Sequence, residues 1–500
     1  MNGQESPAVE NKSIIFIVFA LVLACLFDYF FVWKIPGISV LAFTLLIGFS
    51  LIFLTWLFNR KFSRDVFLLL ILAMFFSGMV AIRANVLLTI LNILGTILIL
   101  LLITEVNVRG LAREFGLSDY LKILGLPFQY LISLVGTFTN IRFPFFKSVD
   151  NKSKQIIRGI LITFPVIALF AALFSGADPV FYKLFSVIFN LPFVSPEHVY
   201  VTIIVFVLIC GALGYSFSEK SSIKSVPTAP RRPMGHIETS ILLGSVNVLF
   251  VIFIALQAGY IFGGVINITN DVFTYAEYAR RGFFELIAIS AFTYLIMLAT
   301  EKLIERNTEN HSKAFKYLSA ALVVQVMILM VFASNRLSIY EEAFGFTTLR
   351  LYSHVFIVLL AAVYFFLLYK IFIDTRENAF ALRTFFAVVF FVAAMNFLNP
   401  DVFIAQKNLE RFNATGKIDF DYLSGLSSDA APVLIGIFEK SDATERSPLG
   451  RALYDRSIVG PEAWQSWNQS REIEMQLLNS YRSELVAYKD YQKPILNSGI

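Results

Sequence analysis

Long apolar stretches recur along this chain and constrain its fold more than any other feature. About eleven of them lie between Ile14 and Leu398, and each is about 20 residues long. A helix that rises about 1.5 Å per residue crosses roughly 30 Å of hydrocarbon in that length. The predicted spans are 14–33, 38–58, 66–82, 85–104, 156–175, 199–217, 239–260, 283–300, 315–334, 351–373 and 382–398. The chain is therefore predicted to be a polytopic membrane protein.

The composition favours helices over a transmembrane barrel. Hydrophobic residues make up 57% of the chain and charged residues 15%, whereas soluble chains carry about 25% charged residues. Lipid cannot satisfy backbone polar groups, so only helices and closed barrels span it. The apolar stretches lack the two-residue alternation of barrel strands. The predicted fold class is therefore all-α, a polytopic transmembrane helical bundle.

Basic residues fall unequally on alternate connections between the predicted spans. If the N-terminus lies in the cytoplasm, most of the Lys and Arg residues in these connections fall on the cytoplasmic side. Those on the other side are Lys34, Arg83, Lys183, Arg280, Arg281, Arg336 and Arg350. Cytoplasmic loops of membrane proteins carry an excess of Lys and Arg. The distribution therefore predicts a cytoplasmic N-terminus and a C-terminal tail outside the cytoplasm.

The connections also predict how the chain is divided. A cytoplasmic N-terminal segment precedes a first bundle of six spans, a cytoplasmic linker, a second bundle of five spans and a small helical extracytoplasmic tail. The corresponding residues are 1–13, 14–217, 218–238, 239–398 and 399–500. The linker is polar, basic and contains prolines, and the tail has apolar residues at helical spacing but no spanning run.

The first bundle contains a long cytoplasmic loop at 105–155. Within this loop, residues 117–138 are apolar but carry Asp119, Lys122 and Pro127. A crossing there would invert every later connection and remove the charge asymmetry. We therefore predict that this segment lies in the interface or re-enters from the cytoplasmic side.

Several classes of function find no support in the residues. Cys25 and Cys210 both lie inside apolar spans, which excludes a disulfide framework and favours a packing role. The four histidines lack metal-ligand spacing. Basic residues do not cluster on a soluble face, as nucleic-acid binding requires. We therefore predict no metal, no cofactor and no nucleic-acid partner; the predicted partner is the lipid bilayer, and the oligomeric state stays open.

Charged residues near the outer ends of the spans form the candidate site. Charge within a membrane is costly, so such residues are functional candidates by default. The set is Asp28, Asp178, Arg280, Arg281, Glu285, Arg336, Arg350 and His354. One hypothesis is that they line a polar vestibule open to the extracytoplasmic side. The alternative is that they are span-end charges, paired or snorkelling into headgroup water, and that Asp178 caps a helix next to Pro179. No catalytic residue is predicted.

Six segments resemble a bacterial family. They are FFVWKIPGISVLAF (30–43), SGADPVF (175–181), YAEYARRGFFEL (275–286), NRLSIYEEAFGFTTLRLY (335–352), NPDVFIAQKNLERF (399–412) and DYLSGLSSDAAPVL (421–434). In these segments the chain is similar to polytopic proteins catalogued as domains of unknown function, of the four-one-five-three and four-one-seven-three kind. The resemblance implies a multi-pass protein of the bacterial cytoplasmic membrane. It implies no reaction and assigns no residue a role.

Three functions stay open at this point. The leading hypothesis is a transport- or channel-like bundle with the outward-facing vestibule. The second is a membrane sensor or scaffold whose outer tail binds an envelope or regulatory partner. The third is an integral-membrane enzyme that acts on an envelope or lipid-linked substrate, which lacks support because the sequence shows no nucleophile–base pair.

Overall fold

Residues 12–110, 112–139, 196–218, 236–262, 289–298, 300, 309–442, 446–460 and 462–491 are described by the computed structural model of the chain. Their secondary structure is helical, and no strand occurs in these ranges. Ten of the helices are long and apolar enough to cross a membrane. The predicted fold class, an all-α polytopic bundle, is therefore confirmed.

The described residues form two compact units. Unit 1 contains residues 1–221, 427–431 and 450–500, and unit 2 contains residues 222–426 and 432–449. The tail that follows the last predicted span thus contributes residues to both units.

Unit 1 is built mainly from apolar helices. They are α1 (Lys12–Phe31), α2 (Ile38–Leu57), α3 (Arg64–Ile82), α4 (Val86–Arg109), α5 (Leu117–Lys122), α6 (Leu126–Thr139) and α7 (Pro196–Ser216). Helices α3 and α4 pack as a hairpin, and α7 packs between α1 and α6. The hairpin turn is tight because Asn85 caps α4, and its side chain accepts a hydrogen bond from the Leu88 backbone N–H at 2.9 Å.

Unit 2 begins with α8 (His236–Phe262) and the short apolar helix α9 (Ile289–Leu298). The helices that follow are α10 (Glu309–Phe344), α11 (Thr348–Phe372), α12 (Glu377–Leu398), α13 (Pro400–Thr415) and α14 (Phe420–Ser424). Helix α10 packs against α8 and α11, and α11 packs against α12. Apolar side chains such as Val358 and Phe390 are largely exposed along these spans, as lipid contact requires.

The tail adds three more helices. They are α15 (Ala431–Lys440), α16 (Ser447–Ser457) and α17 (Gln469–Leu485). Tail residues lie against the turns of unit 1 at 32–37 and 83–85. In unit 2, α13 lies against the turn at 345–347. We call the end of each unit that carries these turns its tail end.

The predicted spans agree with the described helices, with two exceptions outside that description. Residues 156–175 lie outside the described residues, and of 283–300 only residues 289–298 and residue 300 are described. The predicted spans end at residue 334 and resume at 351, which leaves residues 335–350 as an outer connection. The structure corrects it, because α10 continues to Phe344 and α11 begins at Thr348. Gly345, with φ +83°, ends the helix between them.

Residues 117–138 include a helix, α6, that packs alongside the candidate span α7. They qualify by length and composition as a candidate span. The Tyr130 ring lies 5.7 Å from that of Tyr215, near the end of α7, whereas Phe138 shares a buried cluster with Val207, halfway along it. Helix α6 therefore runs antiparallel to α7 from the end opposite the tail end and into the bundle. This packing fits a re-entrant path, which is one of the two predicted alternatives, and it also fits a crossing.

Candidate functional site

The predicted vestibule residues are distributed over the chain. Those outside the described residues are Asp178, Arg280, Arg281 and Glu285. Asp28 belongs to unit 1, whereas Arg336, Arg350 and His354 belong to unit 2. The three in unit 2 all lie toward its tail end, on α10 and α11. We refer to this group of residues on α10 and α11 as the cluster of unit 2.

Asp28 pairs with a histidine that the sequence did not single out. Its two carboxylate oxygens lie 2.8 and 2.9 Å from Nδ1 of His198, in the first turn of α7. Both side chains are partly exposed. Asp28 is therefore fixed by a local partner in unit 1.

The turn between α10 and α11 positions the cluster in unit 2. Asn408 of α13 donates from Nδ2 to the Phe346 carbonyl at 2.9 Å, and its Oδ1 accepts from the Phe346 N–H at 3.3 Å. A Cβ on Gly345 would lie 2.4 Å from that Oδ1. Glycine is therefore required here both for its positive φ and for the close approach of Asn408.

Tyr422 fixes the start of α11. Its hydroxyl oxygen accepts a hydrogen bond from the Thr348 backbone N–H at 2.6 Å, and Thr347 caps the same helix by accepting from the Arg350 N–H at 3.5 Å. Burial is the largest influence on the Tyr422 phenol and raises its pKa. The phenol therefore stays neutral and serves as a hydrogen-bonding group for the helix end.

A buried carboxylate and an imidazole form the centre of the cluster. Glu341 of α10 is only 4% exposed, and its oxygens lie 3.1 and 3.2 Å from Nδ1 of His354 on α11. The neighbouring Glu342 is exposed, because adjacent residues on a helix point in different directions. The sequence motif contains both carboxylates, but only the structure shows which of them is buried and paired.

The second nitrogen of His354 faces oxygen atoms of α10. Nε2 lies 3.2 Å from the Ser334 carbonyl oxygen, 3.1 Å from the Ser334 Oγ and 3.4 Å from the Ser338 Oγ. A carbonyl oxygen only accepts, so its contact with Nε2 is a hydrogen bond only when Nε2 carries a hydrogen, whereas the serine hydroxyls can donate or accept. The carboxylate beside Nδ1 likewise accepts a hydrogen from it. The contacts therefore favour an imidazolium that bridges Glu341 and Ser334.

This protonation state bears on the enzyme hypothesis. Ser334, His354 and Glu341 are spaced like a nucleophile, a base and an orienting acid. A general base, however, needs a bare nitrogen toward the nucleophile, and the Ser334 carbonyl occupies that direction. The arrangement therefore suits holding a proton better than activating Ser334.

Two arginines also lie at the tail end of unit 2, one on α10 and one on α11. The Arg350 guanidinium lies over the Tyr340 ring, 4.0 Å from its centroid, and donates from Nη1 to the Gly345 carbonyl. Arg336 lies on α10 between Ser334 and Ser338 and is half-buried. Positive charge and aromatic surface thus lie on the same two helices as the Glu341–His354 pair.

Unit 1 has a different polar cluster at its tail end. Asp429, 5% exposed, accepts from the backbone N–H groups of Ala84 and Asn85 at 2.9 and 2.8 Å, and from the Ser470 hydroxyl. Asn468 donates to the carbonyls of Val80 and Arg83, both at 2.9 Å. These bonds fasten the tail onto the α3–α4 turn.

The described side chains also bear on metal binding. Within the described ranges, no group of three or more His, Cys, Asp or Glu residues is placed to hold a metal ion.

Comparison with known proteins identifies the family. The family model of Domain of unknown function (DUF4153) matches residues 66–437. The chain belongs to this family. The matched residues include α10, α11 and Asp429, whereas Asn468 and Ser470 of the unit 1 cluster lie beyond them. No curated protein matches the chain, and no solved structure does. The predicted family is thus confirmed.

Proposed function

We propose that this multi-pass membrane protein moves a small solute or ion across the membrane together with a proton. The proton-binding group is the Glu341–His354 pair, and Arg336 and Arg350 belong to the same outward-facing site. The proposal deepens the transport hypothesis by naming a group that carries the proton.

One observation carries the proposal. Glu341 is almost fully buried within a spanning helix, yet it pairs with a titratable side chain on the next span. Ionisable residues inside spans are costly and mark proton or ion pathways. A buried charge kept only for stability is more often paired with Arg, which does not titrate. A carboxylate–histidine pair can bind and release a proton at moderate pH.

Everted membrane vesicles provide a test. With an imposed pH gradient and a pH-sensitive dye, we expect at least one member of a panel of Na⁺, K⁺, amino acids, sugars and organic acids to dissipate the gradient through the protein. Glu341→Gln and His354→Gln should abolish this response. Glu342→Gln is the matched control and should preserve it, because Glu342 is exposed. Equal responses of the Glu341 and Glu342 variants would contradict the proposal.

A second function is favoured by the polar cluster of unit 1. Asp429, Asn468 and Ser470 fix the tail rigidly to the α3–α4 turn, so an event in the tail would be passed to two spans. This is the geometry that a sensor with a partner-binding tail needs. In a deletion strain with a measurable phenotype, a sensor predicts that Asp429→Asn abolishes complementation while Glu341→Gln preserves it. The transport proposal predicts loss with Glu341→Gln, with membrane levels checked for both variants.

For orientation, we propose a bacterial cytoplasmic membrane protein with its N-terminus in the cytoplasm and its tail outside. Support comes from unit 1, where basic residues gather at the end opposite the tail end. These are Arg60, Lys61, Arg64, Arg109 and Arg113. In a Cys25→Ala/Cys210→Ala background, Ile35→Cys should react with an impermeant maleimide in intact cells. Lys61→Cys should react only after permeabilisation; the reverse pattern would overturn the orientation.

A further inference from the structure

A cavity lies in the tail portion of unit 1, apart from the proposed transport site. Its volume is about 370 Å³, and it is formed by residues 456–478. Indole rings, aliphatic side chains and charged groups all line it, including Val459, Trp464, Trp467, Arg471 and Glu472. A lining of this mixed character fits an amphiphilic ligand better than a purely apolar or purely ionic one.

The cavity lies beside the ends of two candidate membrane spans. The Trp464 ring contacts the Phe30 ring at the end of span α1, with centroids 5.7 Å apart. The Trp467 carbonyl accepts from the Ile38 N–H at the start of span α2, at 2.9 Å. Both indoles are substantially exposed, 54% and 42%. Exposed tryptophans next to span ends are typical of the membrane–water interface.

Close packing holds this part of the tail against the span. A Cβ on Gly37, the residue before α2, would lie 2.5 Å from the carbonyl oxygens of both Ser466 and Trp467. Those carbonyls are backbone atoms and cannot rotate away. The side of the cavity that carries Trp467 is therefore fixed relative to the membrane surface.

The charges of the cavity favour a ligand with both signs. Arg471 lies in the first turn of α17, where the helix dipole also favours a phosphate. Arg471 and Arg456, however, are already paired with Glu462 and Glu474, each at 3.0 Å. With Glu472 added, carboxylates outnumber guanidinium groups in the lining. A ligand that brings its own ammonium group is therefore favoured over a simple anion.

Apolar residues extend this surface toward the acyl chains. Val459 is 65% exposed and lines the cavity, and the adjacent Ile458 is 54% exposed. Exposed aliphatic side chains beside two interfacial tryptophans suit contact with hydrocarbon. The site thus combines a polar pocket with an apolar edge on the membrane side.

We propose that this cavity binds the headgroup of a zwitterionic, amine-bearing phospholipid, a phosphoethanolamine lipid. Arg471 receives the phosphate, which displaces the Glu462 carboxylate from its guanidinium group. Glu472 and the indoles of Trp464 and Trp467 receive the primary ammonium through charge and cation–π contact. Lipid bound here would hold the tail on the membrane independently of any transported solute.

The test uses the full-length protein in nanodiscs of phosphatidylethanolamine, phosphatidylcholine or phosphatidylglycerol. Native mass spectrometry after release counts the lipids that stay bound. The wild type should retain phosphatidylethanolamine about fivefold better than the other two lipids, and Trp464→Ala or Arg471→Gln should remove the preference. Arg451→Gln is the matched control, because Arg451 pairs with Asp455 on the exposed face of α16. Equal retention of all three lipids by the wild type would overturn the proposal.

Reversing the charge of Glu472 provides a second test that does not depend on Arg471→Gln folding normally. Glu472 is half-buried and makes no ion pair among the salt bridges of the described residues. Glu472→Lys should therefore fold and should shift the preference toward anionic phosphatidylglycerol. Soluble phosphoethanolamine and inorganic phosphate are added as competitors in detergent. If the Glu472→Lys preference matches that of Arg451→Gln, or if inorganic phosphate alone displaces the lipid, the cavity is not a phosphoethanolamine lipid site.

Discussion

The tail end of each unit contains a buried carboxylate, and the two carboxylates have different kinds of partner. In unit 1, the buried Asp429 carboxylate is satisfied mainly by backbone N–H groups, which cannot titrate. In unit 2, the buried Glu341 carboxylate is paired with His354, which can. The first arrangement is suited to holding a turn in place, and the second to binding and releasing a proton. Burial of the carboxylate is therefore common to both clusters, and the titratability of its partner is what distinguishes them.

The largest expected effect concerns the anchor of unit 1. Asp429→Ala leaves the buried N–H groups of Ala84 and Asn85 without their acceptor, which should cost about 3 kcal/mol of stability. Thermal unfolding in detergent should show a clear decrease in Tm. Asp455→Ala is the control, because Asp455 is half-exposed and pairs only with Arg451 at the surface. Equal Tm values for the two variants would mean that Asp429 does not anchor the tail.

Two glycines of unit 2, Gly345 and Gly416, both have a positive φ but differ in the space around them. Gly345→Ala should cost about 2–3 kcal/mol, because the positive φ is strained for alanine and the new Cβ meets Asn408 Oδ1. Gly416 also has a positive φ, +67°, but open space around its Cβ position. Gly416→Ala should therefore cost only about 1 kcal/mol. If both variants lose the same stability, Asn408 does not fix the turn.

A single hydroxyl group gives a smaller effect. Tyr422→Phe removes the acceptor for the Thr348 N–H while keeping the ring, and should cost about 1 kcal/mol. The same variant should leave the proton response of the vesicles largely intact, because Tyr422 supports the helix end and not the Glu341–His354 pair. A full loss of that response in Tyr422→Phe would place the phenol in the proton path.

The smallest expected effect on stability concerns Asp374, at the end of unit 2 opposite the tail end. Hydrogen bonds from Arg376 and then Arg383 lower the pKa of the Asp374 carboxyl. Its contribution to stability is therefore present above the usual carboxyl range near pH ~4 and is lost as the pH falls through the lowered value. Asp374→Asn should reduce Tm slightly at neutral pH, and less at high salt. A Tm difference from the wild type that grows on acidification would contradict this.

The sequence predicted the spans well because their apolar length is a local property. It misjudged residues 335–344, since charged residues resembled a loop where α10 in fact continues to Gly345. For residues 117–138 the interfacial or re-entrant path stays a prediction, because Asp119 and Lys122 pair with each other at the start of the segment and leave the rest apolar. The amino-acid sequence alone does not show which side chains pair. His198 and Asp28 are separated by 170 positions, and their contact depends on how α1 and α7 pack.

The candidate site was only partly predictable for the same reason. The candidate set included Arg336, Arg350 and His354 as span-end residues, but it did not include Glu341, which lies in the motif at 335–352. Which glutamate is buried depends on the rotation of α10 against α11, a property of packing. Ser334 drew no attention, because a serine inside an apolar span is usually a packing residue.

The account rests on a proton held between Glu341 and His354. The chain has four histidines, so selective ¹⁵N-histidine labelling of the protein in nanodiscs gives few NMR signals, and His354→Gln assigns the relevant one. The account predicts that both ring nitrogens of His354 are protonated near neutral pH, and that Glu341→Gln converts the ring to the neutral form while Glu342→Gln does not. A neutral His354 with a bare Nε2 in the wild type would contradict it.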